Sequence, residues 1–180
     1  MTTIACFGDS LVEGYPYGQA ASWVAEVERQ TALTMLNYGA CGETTVDIMY
    51  RLVNWHPASK VHYVLYQGGM NDILQGIPLA ATLKTLHYAQ YWCQQQKQQL
   101  CLVVPWLSSD TKLNKQINAL RAALAEAFGS TEIFLLDLQP ALLGQPTAQL
   151  FLDGVHPMGL TYKQLGQYAA PILADWVQRC

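Results

Sequence analysis

Apolar and polar positions along this chain alternate between two rhythms. Five short β-prone runs, Thr3 to Phe7, Thr34 to Tyr38, Val61 to Gln67, Leu100 to Val104 and Ile133 to Leu136, are rich in apolar residues, as strands covered on both faces are. Between them apolar residues recur every three to four positions, the spacing of one helix face. Trp23, Val24, Val27 and Gln30 predict one helix, and Val46, Met49, Tyr50 and Val53 a second. Leu79 to Gln96 predicts a third, with Leu83, Leu86, Tyr91 and His87 toward the sheet. Leu113, Ile117, Leu120, Leu124 and Phe128 trace a fourth. Thr161 is placed to cap a fifth, running through Leu165, Tyr168 and Ile172, which Pro171 should kink or end early.

Strands that alternate with helices of this length imply right-handed βαβ crossovers and a parallel sheet. The expected architecture is α/β, a three-layer α/β/α sandwich with a parallel sheet of about five strands, in one domain spanning residues 1–180. Such sheets bind ligands beyond the carboxyl ends of their strands, where the strand order reverses.

Composition narrows the partners. Charged residues make up 13% of the 180 residues, thirteen acidic against ten basic, and apolar residues 51%, which excludes a disordered chain. The Lys and Arg residues are scattered from Arg29 to Arg179 with no basic run to track a phosphate backbone, so nucleic acid is not an expected partner. No apolar stretch reaches the length of a membrane span and the N-terminus has no export pattern, so a cytoplasmic protein without stable membrane insertion is expected. The cysteines Cys6, Cys41, Cys93, Cys101 and Cys180 show no paired spacing and read as free thiols, not a zinc site. The helix pattern does not separate a surface from an interface, so oligomeric state stays open.

Residues fit for acyl transfer concentrate in four segments: Phe7-Gly8-Asp9-Ser10-Leu11, Gly39-Ala40-Cys41-Gly42-Glu43-Thr44, Gly69-Met70-Asn71-Asp72 and Asp153-Gly154-Val155-His156-Pro157. Three follow a predicted strand and the fourth lies in the loop before the last helix, so one sheet edge could gather them. A tight turn lets Asp153 reach the His156 imidazole three residues on and fix its tautomer, leaving the other ring nitrogen to take the Ser10 proton. Candidate donors to a developing oxyanion are the Ser10 N–H, the Gly42 N–H and the Asn71 side-chain amide. Each has a plainer reading: a turn serine, a loop glycine, an asparagine capping its own backbone with Asp72. Asp9 and Asp72 read as supports that accept backbone N–H bonds. His56, His62 and His87 fit a catalytic role less well, placed as they are in a loop, at a strand start and in a helix.

Taken together, the four segments resemble the sequence blocks of the GDSL, or SGNH, hydrolases. The resemblance implies a flavodoxin-like sandwich, Ser10 as nucleophile and first oxyanion donor, Gly42 rather than Gly39 as the second, Asn71 as the third, and Asp153 and His156 as acid and base. It implies no cofactor and no metal. The compact length and the segment from Gly69 to Gly76 are most similar to the small bacterial arylesterase and thioesterase/lysophospholipase branch. Glu43 stands where aspartate is commoner, Met158 where a small polar residue is frequent and Thr161 where glycine is common.

By that resemblance the chain is a serine esterase that hydrolyses short to medium acyl esters or thioesters through an acyl-serine intermediate, with acyl transfer open to the same first half-reaction. Tyr15, Tyr17, Met70, Ile73, Leu74, Trp106, Leu107 and Met158 are expected to line the substrate cleft. No basic side chain lies close in sequence to a catalytic segment, which argues against a strongly anionic leaving group. Three rivals stay open: a carbohydrate O-deacetylase of the same mechanism, a metal-dependent phosphoesterase built on Asp9, Asn71, Asp72, Asp153 and His156, and a non-catalytic binding module.

Overall fold

The computed structural model describes residues 2–57, 60–146 and 149–179; Cys180, among the expected free thiols, lies outside them. Five parallel strands, β1 (Thr3–Gly8), β2 (Thr34–Gly39), β3 (Tyr63–Gln67), β4 (Gln99–Val104) and β5 (Phe134–Asp137), form one sheet in the order β2-β1-β3-β4-β5. The order reverses between β1 and β3, and that point opens a crevice at the carboxyl edge.

Alternate strand residues feed two cores. Ile4, Cys6, Leu65, Cys101, Val103 and Leu136 face one side, where α2 (Trp23–Gln30) and α7 (Gly159–Arg179) bring Trp23, Val27, Leu165 and Leu173. Ala5, Phe7, Val64, Tyr66, Leu102 and Val104 face the other, packed by α3 (Thr45–Val53), α5 (Leu79–Gln95) and α6 (Leu113–Phe128). Two short helices, α1 (Ser10–Glu13) and α4 (Met70–Leu74), start at the carboxyl ends of β1 and β3. No helix among the described residues is long and apolar enough to cross a membrane.

Four expectations about helix faces and ends are corrected. In α3 the buried stripe is Thr45, Ile48, Met49 and Leu52, while Val46 and Tyr50 are exposed. In α5 it is Thr82, Leu86, Ala89 and Cys93; Tyr91 is exposed and stacks on Tyr88, and His87 is exposed with its ring tilted against Phe128. Thr161 caps nothing, because α7 already starts at Gly159 and holds Thr161 buried within its first turn. Nor does Pro171 end α7. The bond it forfeits belongs to the carbonyl of Gln167, and both residues are exposed, so water can replace it. Leu165, Ala169, Leu173 and Trp176 on both sides of the proline remain packed in the core.

Candidate active site

β1 delivers the serine. At its carboxyl end Asp9 adopts an extended conformation and its Oδ1 accepts the Leu11 N–H at 2.9 Å, which starts α1 at Ser10. Ser10, first in the helix, has no intrahelical acceptor for its own N–H. Its Oγ lies 2.9 Å from Nε2 of His156.

The histidine comes from a loop braced against itself. Phe151 and Pro157 form an antiparallel bridge, Leu152 N–H donates to the His156 carbonyl at 2.8 Å, and Met158 N–H to Leu150 at 2.8 Å. Asp153 Oδ1 accepts the backbone N–H groups of Val155 and His156, and its Oδ2 lies 2.7 Å from His156 Nδ1. Burial pushes the Asp153 carboxyl up, but the His156 backbone and imidazole and the Val155 N–H outweigh it and hold the group below the usual carboxylate range. An ionised Asp153 assigns the imidazole proton to Nδ1, so Nε2 is free to accept from Ser10. Ser109 N–H donates to the Gly154 carbonyl at 2.9 Å, docking the loop after β4 onto this one.

The two glycines of the second segment part ways. A Cβ on Gly39 would lie 2.1 Å from the Glu13 nitrogen, so Gly39 permits close packing of α1 on β2. Gly42 has φ +78 and open space before its α carbon, which exposes its backbone to an approaching ligand. Asn71 caps no local backbone: its Nδ2 donates to the Glu43 carbonyl at 2.9 Å. An amide nitrogen carries two hydrogens, so one remains for a ligand.

Asp72 is buried behind Asn71 and accepts from Thr45 N at 2.8 Å, Thr45 Oγ1 at 2.5 Å and Thr82 Oγ1 at 2.9 Å, fastening α4 to α3 and α5. Asp9 is only 1% exposed and its Oδ2 has no partner. Burial, then the charges of Asp72 and Glu43, push its carboxyl up to about 7 against the Leu11 hydrogen bond. The expectation that no cation lies near the segments is corrected: α3 brings the Arg51 guanidinium to the carboxylate of Glu43 and the carbonyl of Gly8. Only the helix reveals this approach, since Arg51 stands eight residues from Glu43. Among the described residues no three His, Cys, Asp or Glu side chains are grouped to hold a metal ion.

The expected lining residues divide. Tyr15, 43% exposed, sets its ring 4.7 Å from the His156 imidazole, and Tyr17 is 48% exposed. Leu74 is exposed, and Ile73, Leu107 and Met158 are half-buried. Trp106 and Met70 are corrections: at 0% and 3% exposure both belong to the core beneath α2 and α7, because the side chains of Trp106, in the loop after β4, and Met70, at the start of α4, turn inward.

Residues 6–164 match the model of the GDSL-like lipase/acylhydrolase family. No curated protein matches the chain in sequence. Among solved structures, a member of the lipolytic G-D-S-L family from Veillonella parvula shares 24% identity at a TM-score of 0.85, covering 97% of this chain and 99% of that one. The psychrotrophic esterase EstA of Pseudoalteromonas sp., inhibited by monoethylphosphonate, gives 19% and 0.80 over 99% and 100%. Axe2, an acetylxylan esterase of Geobacillus stearothermophilus, gives 18% and 0.80 over 95% and 94%. These likenesses are of fold, whereas the family match spans all four segments from the residue before Phe7 to past His156. The chain belongs to the GDSL-like lipase/acylhydrolase family.

Proposed function

We propose that this family member is a serine esterase cleaving short to medium, uncharged acyl esters or thioesters through an acyl-serine intermediate. The observation that carries the reading is the unbroken relay Ser10 Oγ, His156 Nε2, His156 Nδ1, Asp153 Oδ2, with separations of 2.9 and 2.7 Å at its two hydrogen bonds. Ser10 Oγ attacks the acyl carbon as Nε2 takes its proton. The carbonyl oxygen gathers charge facing the Ser10 and Gly42 N–H groups and the free Asn71 amide hydrogen. His156 then protonates the departing alcohol or thiol, and water activated by the same nitrogen releases the acid. Tyr15 against the imidazole offers an apolar ring where the leaving group departs, and the Arg51 charge is met by Glu43, which keeps the preference for uncharged substrates.

Removal of acetyl groups from sugars is a second reading. The exposed Tyr15 ring beside the base, with exposed Tyr17 two residues on, suits stacking on a sugar face, and a structure of like fold is named an acetylxylan esterase. A panel of acyl lengths crossed with alkyl, aryl and acetylated-sugar leaving groups separates the two by kcat/KM. The shared chemistry is tested first. Ser10→Ala should stay folded and lose hydrolysis, and a serine-directed phosphonate should add its mass to the peptide holding Ser10. A labelled peptide elsewhere, full activity in the alanine variant, or a wild-type protein that neither labels nor hydrolyses would end the proposal, the last favouring a binding module.

A further inference from the structure

Gly42 has no side chain to anchor it and no atom lies within 4 Å of where a Cβ would stand, so other residues must hold its conformation. Arg51 supplies that hold. From α3 its Nε donates to both oxygens of the Glu43 carboxylate, at 2.9 and 2.7 Å, and its Nη2 forms a further, shorter bond to the same carboxylate. Nη1 donates to the Tyr38 carbonyl at 2.6 Å, and Nη2 to the Gly8 carbonyl at 2.9 Å. One planar group thus joins the loop after β2 to the ends of β2 and β1. Gly8 lies two residues before Ser10, and its carbonyl also accepts the Ala40 N–H at 3.0 Å, so both ends of the Ala40–Glu43 loop refer to the nucleophile strand.

Glu43 passes the hold on in two directions. Its nitrogen follows Gly42 in the chain, and its carbonyl accepts one Asn71 amide hydrogen at 2.9 Å, which aims the other. We propose that Arg51 is a positioning residue for the oxyanion hole, acting through Glu43 on both the Gly42 N–H and the Asn71 amide. Four of its five N–H donors meet protein acceptors and its charge meets Glu43, so it does not serve as a substrate anion site. The inference deepens the esterase reading and rests on it for its kinetic arm alone.

Arg51→Lys keeps the charge and loses the planar fork, Arg51→Met loses both, and Glu43→Gln leaves the carbonyl in place while weakening the pair. With an ester whose acylation limits turnover, Arg51→Lys should lower kcat by about 10- to 100-fold, less than outright loss of a donor, while KM moves by less than about threefold. In an Asn71→Ala background the same change should cost about a third as much or less, since part of what it misplaces is already gone. Hydrogen exchange supplies an arm that needs no activity: amides of residues 40–44 should exchange about tenfold faster in Arg51→Met, with β3 unchanged. Where Arg51→Met does not fold, Arg51→Lys and Glu43→Gln carry the exchange measurement. A kcat within about threefold of wild type, equal losses in both backgrounds, or unchanged loop exchange overturns the role of Arg51. An inactive wild type with a faster-exchanging loop in the variant overturns the esterase reading and leaves the clamp standing.

Discussion

In the proposed reaction Asn71 divides its amide between structure and chemistry, and the two uses can be separated by substitution. The hydrogen given to Glu43 is present before substrate arrives, whereas the other gains strength only as charge builds on the carbonyl oxygen. Asn71→Ala should therefore lower kcat by about 10²- to 10³-fold with a much smaller change in KM, measured on an ester whose acylation limits turnover. Asp9 gives a residue-scale prediction in stability. Its carboxyl rises from 3.8 to about 7 in the fold, so between those values the native state binds a proton the unfolded chain has released. Stability attributable to Asp9 is full below about pH 4 and declines as pH rises through 7. Asp9→Asn keeps an oxygen for the Leu11 N–H and cannot titrate. Urea unfolding from pH 4 to 8 should show the wild type losing ground to the variant by up to about 4 kcal/mol. A constant difference between the two would mean that the orphan Oδ2 finds a partner.

Helices and strands obey the chain's apolar rhythm, and their errors have physical causes. All five strand runs appear within two residues of their expected starts and ends, because residues buried on both faces leave an apolar signature. Helix faces were less legible: α3 and α5 carry apolar residues on adjoining stripes, and periodicity does not say which stripe meets the sheet. In α3 packing chose Ile48 and Leu52 and left Val46 and Tyr50 outside. Pro171 misled for a related reason, since a breaker's cost depends on whether water reaches the carbonyl it orphans. Pro171→Ala restores the N–H toward Gln167 without disturbing a buried contact, so it should stabilise the protein by about 1 kcal/mol, below the full penalty of an interior proline near 3 kcal/mol. Equilibrium urea denaturation decides; destabilisation would mean that the proline ring packs or that its stiffening of the unfolded chain dominates.

Across the whole molecule one sheet serves two cores, and β3 lies at its centre. Leu65 is fully buried there, so Leu65→Ala should cost about 2–5 kcal/mol through lost transfer energy and the cavity left behind. Because both cores share the strands, fluorescence and far-ultraviolet dichroism should still lose signal in one coincident transition. The carboxyl edge of that sheet is also where the four segments meet: Ser10 and His156 stand 146 residues apart in sequence and 2.9 Å apart in space.

The sequence by itself determined the element types, the single parallel sheet and the residue chemistry offered at its edge. Those are written in local periods and in motifs short enough to read within one turn, such as Asp153 beside His156. Only the tertiary structure decided that Trp106 and Met70 turn into the core, that Asn71 reaches Glu43, and that Arg51 reaches Gly8. Each of these depends on how two elements distant in sequence are set side by side, a placement fixed by packing against the shared sheet. No local pattern encodes it, because the same helix spacing permits several rotations until the core selects one.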